Sequence, residues 1–395
     1  LGKYKGKGQT MHKKFFLVFA CVLLICGYGA QVKACDNNND SLEEIYSEQV
    51  HASGADELID ELDPDTQEKL KILGVESIDW HELANLRMEK VFYAIIESLR
   101  ASFPEPAKTS AYIIGVILLT AICMSLKQPS SQKSLEGVID VIGCLCICVN
   151  ALYPIIAFVS KTVNVIQNAS KFILCYIPVM SGIMIATGQT ASAASYNVVM
   201  LSACEIISQI SANLLAPFLC ILLTIAVVSS ISARLNLSGV YDLFHSSTKW
   251  VLGFAMTIFT GLLSIQSVVG ASADTSSSKT VKFVISSFVP VVGSALGDAF
   301  GAVQSCVKLL KSGVGAFGIL GAGALFLPIV TEAFAWIIVL NVCSCIGRIF
   351  ELGKISKLLA NTSKVLSLLL SIVFCCMTVL IVSTVVILVV GNHSS

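Results

Sequence analysis

A chain of 395 residues with 55% hydrophobic and only 13% charged side chains cannot keep all its helices in water, because a water-facing helix must carry a polar face. Its 26 basic and 26 acidic residues cancel, and no dense basic stripe interleaves with aromatics, which excludes a nucleic-acid binder. The composition specifies an all-α, polytopic membrane protein of about eight to ten spans.

Residues 1–10 read as a translated upstream extension, and Met11 as the start of a signal peptide over 11–34. The signal has His12, Lys13 and Lys14, an apolar core from Phe15 to Gly27, then Val32-Lys33-Ala34. Cleavage after Ala34 leaves Cys35 first. Val-Lys-Ala-Cys is a loose lipobox, so lipidation of Cys35 and ordinary cleavage both stay open.

Residues 35–108 then form an acidic extracytoplasmic segment. Positions 36–105 hold 18 of the 26 acids and five Lys or Arg. Residues 36–60 are polar enough to be expected poorly ordered. Asp63-Pro64-Asp65 predicts a short helix through Leu70 and Leu73 that stops at Gly74. Asp79-Trp80-His81-Glu82 reads as a capping box. It opens a helix carrying Leu83, Leu86, Phe92, Ile95, Ile96 and Leu99 that ends before Pro104. That apolar stripe would pack on the membrane surface, on the spans or on a partner.

A helix needs about 20 apolar residues to cross the hydrocarbon core. Candidate spans are 110–126 and 137–159, the two leading helices of 109–170, then 172–189, 195–214, 216–233, 250–270, 283–305, 313–329, 331–349 and 365–390. The run 313–349 is too long for one span, and Pro328 with Glu332 predicts a break inside it. Segments 172–189 and 313–329 read equally as re-entrant half-helices. Loops expected in the cytoplasm hold ten Lys or Arg, among them Lys308, Lys311 and Arg348. Loops expected outside hold Lys161, Lys171, Lys279 and Lys282, which agrees with the positive-inside rule.

The stretch 171–390 reads as one unit written twice, over 171–281 and 282–395. Lys171-Phe172 leads to Pro178 and Gly182; Lys282-Phe283 leads to Pro290 and Gly293. Farther on, Arg234 precedes Ser247-Thr248-Lys249, and Arg348 precedes Thr362-Ser363-Lys364. Pro178 and Pro290 lie 112 positions apart, and Lys249 and Lys364 lie 115 apart. Each copy is expected to hold four spans, so the copies run in the same direction. Such repeats place a site or pathway at their interface.

Asp140, Glu205, Asp298 and Glu332 fall inside predicted spans, where a charge costs about 2.5–3.5 kcal/mol even on the lenient insertion scale. Each should therefore face a polar cavity, a partner or the interface. Glu205 is the leading pathway candidate, with Gln209, Ser202 and Ser208 on the same helix. Asp298 sits among Gly293, Gly297 and Gly301, a doubled G-x-x-x-G that permits close helix packing. Glu332 is expected at a helix break near the headgroups. The fifteen cysteines lie mostly inside apolar runs and read as small apolar filler. No HExxH, GxSxG or Walker loop occurs, so no enzyme, cofactor or metal is expected.

One ordered run carries a resemblance: Gly261-Leu-Leu-Ser-Ile-Gln, Gly270-Ala-Ser-Ala-Asp274, Lys282-Phe283, Phe288-Val-Pro290-Val-Val-Gly293 and Asp298. With the signal peptide, acidic segment and polytopic core in this order, the chain resembles the stage III sporulation protein AE family over nearly its whole length. The resemblance implies the polytopic core of a channel or transport complex in the mother-cell membrane around the forespore. It also implies other stage III A proteins and a forespore-side protein as partners, with the acidic segment facing them. A homo-oligomer fits the same reading. The cysteine richness and the loose lipobox depart from the family's pattern. A free-standing secondary transporter and a non-conducting scaffold are the alternatives.

Overall fold

The computed structural model describes residues 39–79, 82–83, 88–126, 133–210, 213, 215–231, 238–288 and 293–392. The signal peptide, Ala34, Cys35, Trp80, His81, Arg234 and Pro290 lie outside the described residues. Ten α-helices follow one another among those described. They are α1 (Asn39–Ser53), α2 (Pro64–Leu73), α3 (Met88–Ser102), α4 (Pro104–Ser125), α5 (Lys133–Ala186), α6 (Thr190–Ile210), α7 (Ala216–Ile231), α8 (Ser238–Phe288), α9 (Gly293–Ile349) and α10 (Gly353–Asn392). The helical membrane class expected from composition is the class observed: five helical stretches are long and apolar enough to cross a bilayer.

The N-terminal segment is more ordered than its polarity predicts. Residues 39–53 are helical, because a few apolar side chains at helical spacing find a core elsewhere in the chain. Tyr46 is buried and its hydroxyl donates to the Ile78 carbonyl at 2.9 Å. Ala55, Leu58 and Leu62 are buried beside it. The α2 helix is the one expected: Asp63 precedes it, Pro64 opens it, and Gly74 ends it at φ +86°. The capping box forms differently. The Glu82 carboxylate accepts from the Glu76 and Ser77 amides, ahead of the predicted box, at 3.0 Å each.

The division into ten spans is corrected. Segment 137–159 and residues 172–186 of segment 172–189 are parts of one 54-residue helix, α5, which runs through Pro154 and Pro178. Segments 313–329 and 331–349 are parts of the 57-residue α9, which runs through Pro328, so the break expected there is absent. Neither 172–189 nor 313–329 is a re-entrant half-helix. A proline removes one backbone donor, and a helix clamped by neighbours on several sides tolerates that loss. Lys161 and Lys171 therefore lie within α5, and Lys308 and Lys311 within α9, not in loops. At 1.5 Å per residue these helices are about 80 and 85 Å long, more than twice the hydrocarbon thickness.

The long helices turn sharply at two ends. After α5, Gly188 takes φ +80°, and the Gln189 amide reaches back to the Met184 carbonyl at 2.9 Å. After α9 the same six-to-one bond forms between Leu352 and Gly347, at 2.9 Å. There the left-handed position is held by Glu351 (φ 58°), a side chain where glycine is the usual solution. The second turn folds α10 back along the length of α9. Trp336, Phe317 and Phe326 of α9 and Tyr196 of α6 are the largest fully buried side chains, and they mark the core between α5, α6, α9 and α10.

Candidate functional site

Helices α5 and α9 run antiparallel, and their contact is polar at two levels. At one level the Lys161 ammonium meets the Glu332 carboxylate at 2.7 Å. Glu332 is 8% exposed, whereas the Lys161 side chain is 55% exposed, so the pair joins a buried acid to a half-solvated base. Beside it the buried Thr331 hydroxyl lies 3.0 Å from Ser98 Oγ and 2.9 Å from Ser102 Oγ, both on α3. The spacing of four residues puts both serines on one face of α3. Across the acidic segment, Lys69 of α2 lies close enough to Lys161 to feel its charge. Burial lowers the Lys69 amine below its ordinary value, Asp65 and Asp63 oppose that, and Lys161 adds to it.

At the second level the buried Lys311 ammonium donates to Gln189 Oε1 at 2.8 Å. Between the two levels the packing is tight. The Tyr176 hydroxyl reaches the Val314 carbonyl at 3.4 Å, and a Cβ placed on Gly318 would lie 2.8 Å from the Tyr176 ring. A cavity of about 10 Å³ beside it is lined by Phe172, Tyr176, Gly318, Ser383 and Thr384, room for a single water at most. The neighbouring Tyr196 hydroxyl is fully buried and has no hydrogen-bond partner among the described residues. A third polar knot closes the α9–α10 turn, where Ser344 and Ser356 exchange hydroxyl and carbonyl bonds at 3.0 Å and Arg348 Nε donates to Ser356 Oγ at 3.2 Å. Nearby, Lys357 donates to the Ser229 carbonyl of α7 at 3.3 Å.

The residues singled out from sequence are not brought together. Glu332 is buried and paired, in mid-helix and not at a break. Glu205 is exposed on α6, where it accepts from Gln209 at 2.9 Å, and Gln209 accepts from Asn213 at 3.0 Å. This is a ladder on the exposed face of α6. Asp140 is half-buried near the start of α5, about 31 Å from Lys161 along the helix. Pro178 lies inside α5. Gly293, Gly297, Asp298 and Gly301 belong to the first turns of α9, and the Asp298 side chain lies outside what is described.

Lys161, Lys311, Gln189, Ser98, Ser102 and Thr331 were not expected. The sequence does hold one signal for the lysines. Residues 160–171 and 306–312, read as loops, contain neither Gly nor Pro until residue 313, and so nothing that stops a helix.

The family described as stage III sporulation protein AE (spore_III_AE) matches residues 80–391, most of the chain. The stage III sporulation protein AE of Bacillus subtilis (strain 168) is 27% identical over 207 residues. That alignment covers 52% of this chain and 52% of the relative, so the chain spans about half the length of the curated relative it matches. No solved structure matches. With the family match covering residues 80–391, the chain belongs to the stage III sporulation protein AE family, and its role is in sporulation.

Proposed function

We propose that the chain is the polytopic core subunit of a transport complex joining mother cell and forespore, needed for forespore development after engulfment. The observation that carries this reading is the family match over residues 80–391. In this reading the signal peptide delivers the acidic segment to the intermembrane space, where other stage III A proteins and a forespore-side partner meet it. The chain works there as a membrane component without catalysis of its own.

The test is a clean deletion in the native spore-former. Normal growth, with forespores that engulf and then shrink and stop transcribing, is the expected result. Normal spores with a solute-uptake defect during growth would overturn the reading in favour of a free-standing transporter. The tight packing between α5 and α9 favours one second reading, a scaffold that conducts nothing itself. A small tracer made in the mother cell separates the two. A conducting subunit admits it to the forespore, and a scaffold leaves its entry unchanged when the chain is deleted but its partners are held in place by a tether.

A further inference from the structure

Helices α5 and α9 are far too long for one bilayer crossing, so the question is which part lies in lipid. The acidic helices answer it. Glu57, Asp60, Glu61, Asp65 and Lys71 are exposed, and such charges cannot face hydrocarbon. Yet α1 and α2 pack along one half of the long helices. Tyr46 stands against Gly313, Leu62 against Gly321, the Glu61 carboxylate approaches Cys175, and Lys69 approaches Lys161. Everything at these levels is therefore at the level of water.

A second observation agrees. On the same half, Lys171 of α5, Glu205 of α6 and Lys308 of α9 are exposed. Cys204, next to Glu205, touches the Ser170 carbonyl, which fixes α6 at the height of Lys171. On the other half, α5 and α9 expose apolar side chains: Val149, Tyr153, Ile338 and Val342. That half ends in Asp140, Arg348, Lys354 and Lys357. Glu332 to Arg348 is about 24 Å along α9, Asp140 to Lys161 about 31 Å along α5, and Glu105 to Ser125 about 30 Å along α4. These lengths bracket one hydrocarbon thickness, about 30 Å.

We infer that the bilayer is seated between the Lys161–Glu332 pair and the Arg348–Lys357 turn, and that residues 162–186 of α5, 305–331 of α9 and the last turns of α10 stand outside it as an apolar-cored stalk clasped by α1 and α2. The ion pair marks the hydrocarbon edge, where Lys161 reaches the headgroups and Glu332 stays within the protein. Six crossings result: α4, α5, α7, α8, α9 and α10. The even number puts the C-terminus on the same side as the acidic segment. The apolar character of 172–186 and 313–329 then serves burial by protein, not by lipid.

The test is thiol reactivity toward a membrane-impermeant maleimide, in a background without native cysteines that still supports sporulation. Leu174→Cys (46% exposed as leucine) and Val198→Cys (67%) probe the stalk; Tyr153→Cys (79%) and Val342→Cys (51%) probe the band in lipid. Intact protoplasts and inverted vesicles are both assayed, with Asp60→Cys reporting the side of the acidic segment. The expected result is that the stalk thiols react at least about tenfold faster than the band thiols, on the same side as Asp60→Cys. Stalk thiols as slow as the band thiols, or reactive from the opposite side, would overturn the inference. If the cysteine-free background fails to fold, the unaltered chain in liposomes carrying a lipid with a photoreactive tail decides the matter. Within α5, α6 and α9, labels confined to 138–160 and 333–349 support the placement, and labels at Leu174, Ile185 or Val198 reject it.

Discussion

Removing Lys161 should harm the fold more than removing its partner. Glu332 is 8% exposed and its carboxylate rests against the Lys161 ammonium at 2.7 Å. Lys161→Ala strands that carboxylate. Stranding one member of a fully buried pair costs about 3–5 kcal/mol. The Lys161 side chain is 55% exposed, so water already screens part of the attraction, and the expected cost falls to about 1.5–3 kcal/mol. Glu332→Gln strands nothing, because the lysine stem swings its ammonium into water and the amide keeps a hydrogen-bonding oxygen. Its cost should stay below about 1 kcal/mol. The double variant removes the stranded charge and should recover much of the loss seen in Lys161→Ala. The assay is the midpoint of heat denaturation in detergent, read by fluorescence-detected size exclusion. Lys161→Ala should fall lowest, with the double variant between it and Glu332→Gln. If Glu332→Gln is as damaging as Lys161→Ala, or the double variant shows the sum of the two losses, the pair does not hold the helices as described.

Three further outcomes use the same midpoint or a protease. Gly318→Ala puts a Cβ 2.8 Å from the Tyr176 ring and should lose about 1–3 kcal/mol, whereas Gly253→Ala meets nothing within 4 Å and should gain up to about 1 kcal/mol in helix propensity. Glu351→Gly relieves the left-handed backbone at φ 58° and should raise the midpoint, by about 1 kcal/mol at most. Tyr46→Ala removes the buried ring that holds α1 and should make residues 39–62 the first site cut in limited proteolysis, while Tyr46→Phe loses only the bond to Ile78 and should be cut much more slowly.

Helical class, membrane residence and the family were legible in the sequence because apolar content, long apolar runs and an ordered set of short motifs survive without any knowledge of tertiary contacts. The α2 helix was legible for a local reason, since Pro64 and Gly74 fix its ends through their own backbone preferences. What misled was punctuation by charge. Lys161, Lys171, Lys308 and Lys311 looked like loop residues because a lysine is costly in lipid, yet all four sit in continuous helix. Two of them meet partners far away in the chain, Glu332 for Lys161 and Gln189 for Lys311, while Lys171 and Lys308 are exposed. The same gap applies to Glu205, whose place on the exposed face of α6 its own periodicity does not give. Distant pairings of this kind, such as Ser98 with Thr331, leave no mark on local periodicity.

The contact between Tyr46 and Gly313 also sets a timetable. Its two ends are separated by 267 positions in the chain. At a synthesis rate of about 5–20 residues per second, α1 emerges roughly 15–50 s before the helix it rests on. During that interval the acidic segment has no floor to dock against, and its sparse apolar side chains cannot hold a fold alone. The clasp therefore cannot close before α9 is made, and each molecule passes through a window in which its N-terminal segment is open to proteases and chaperones.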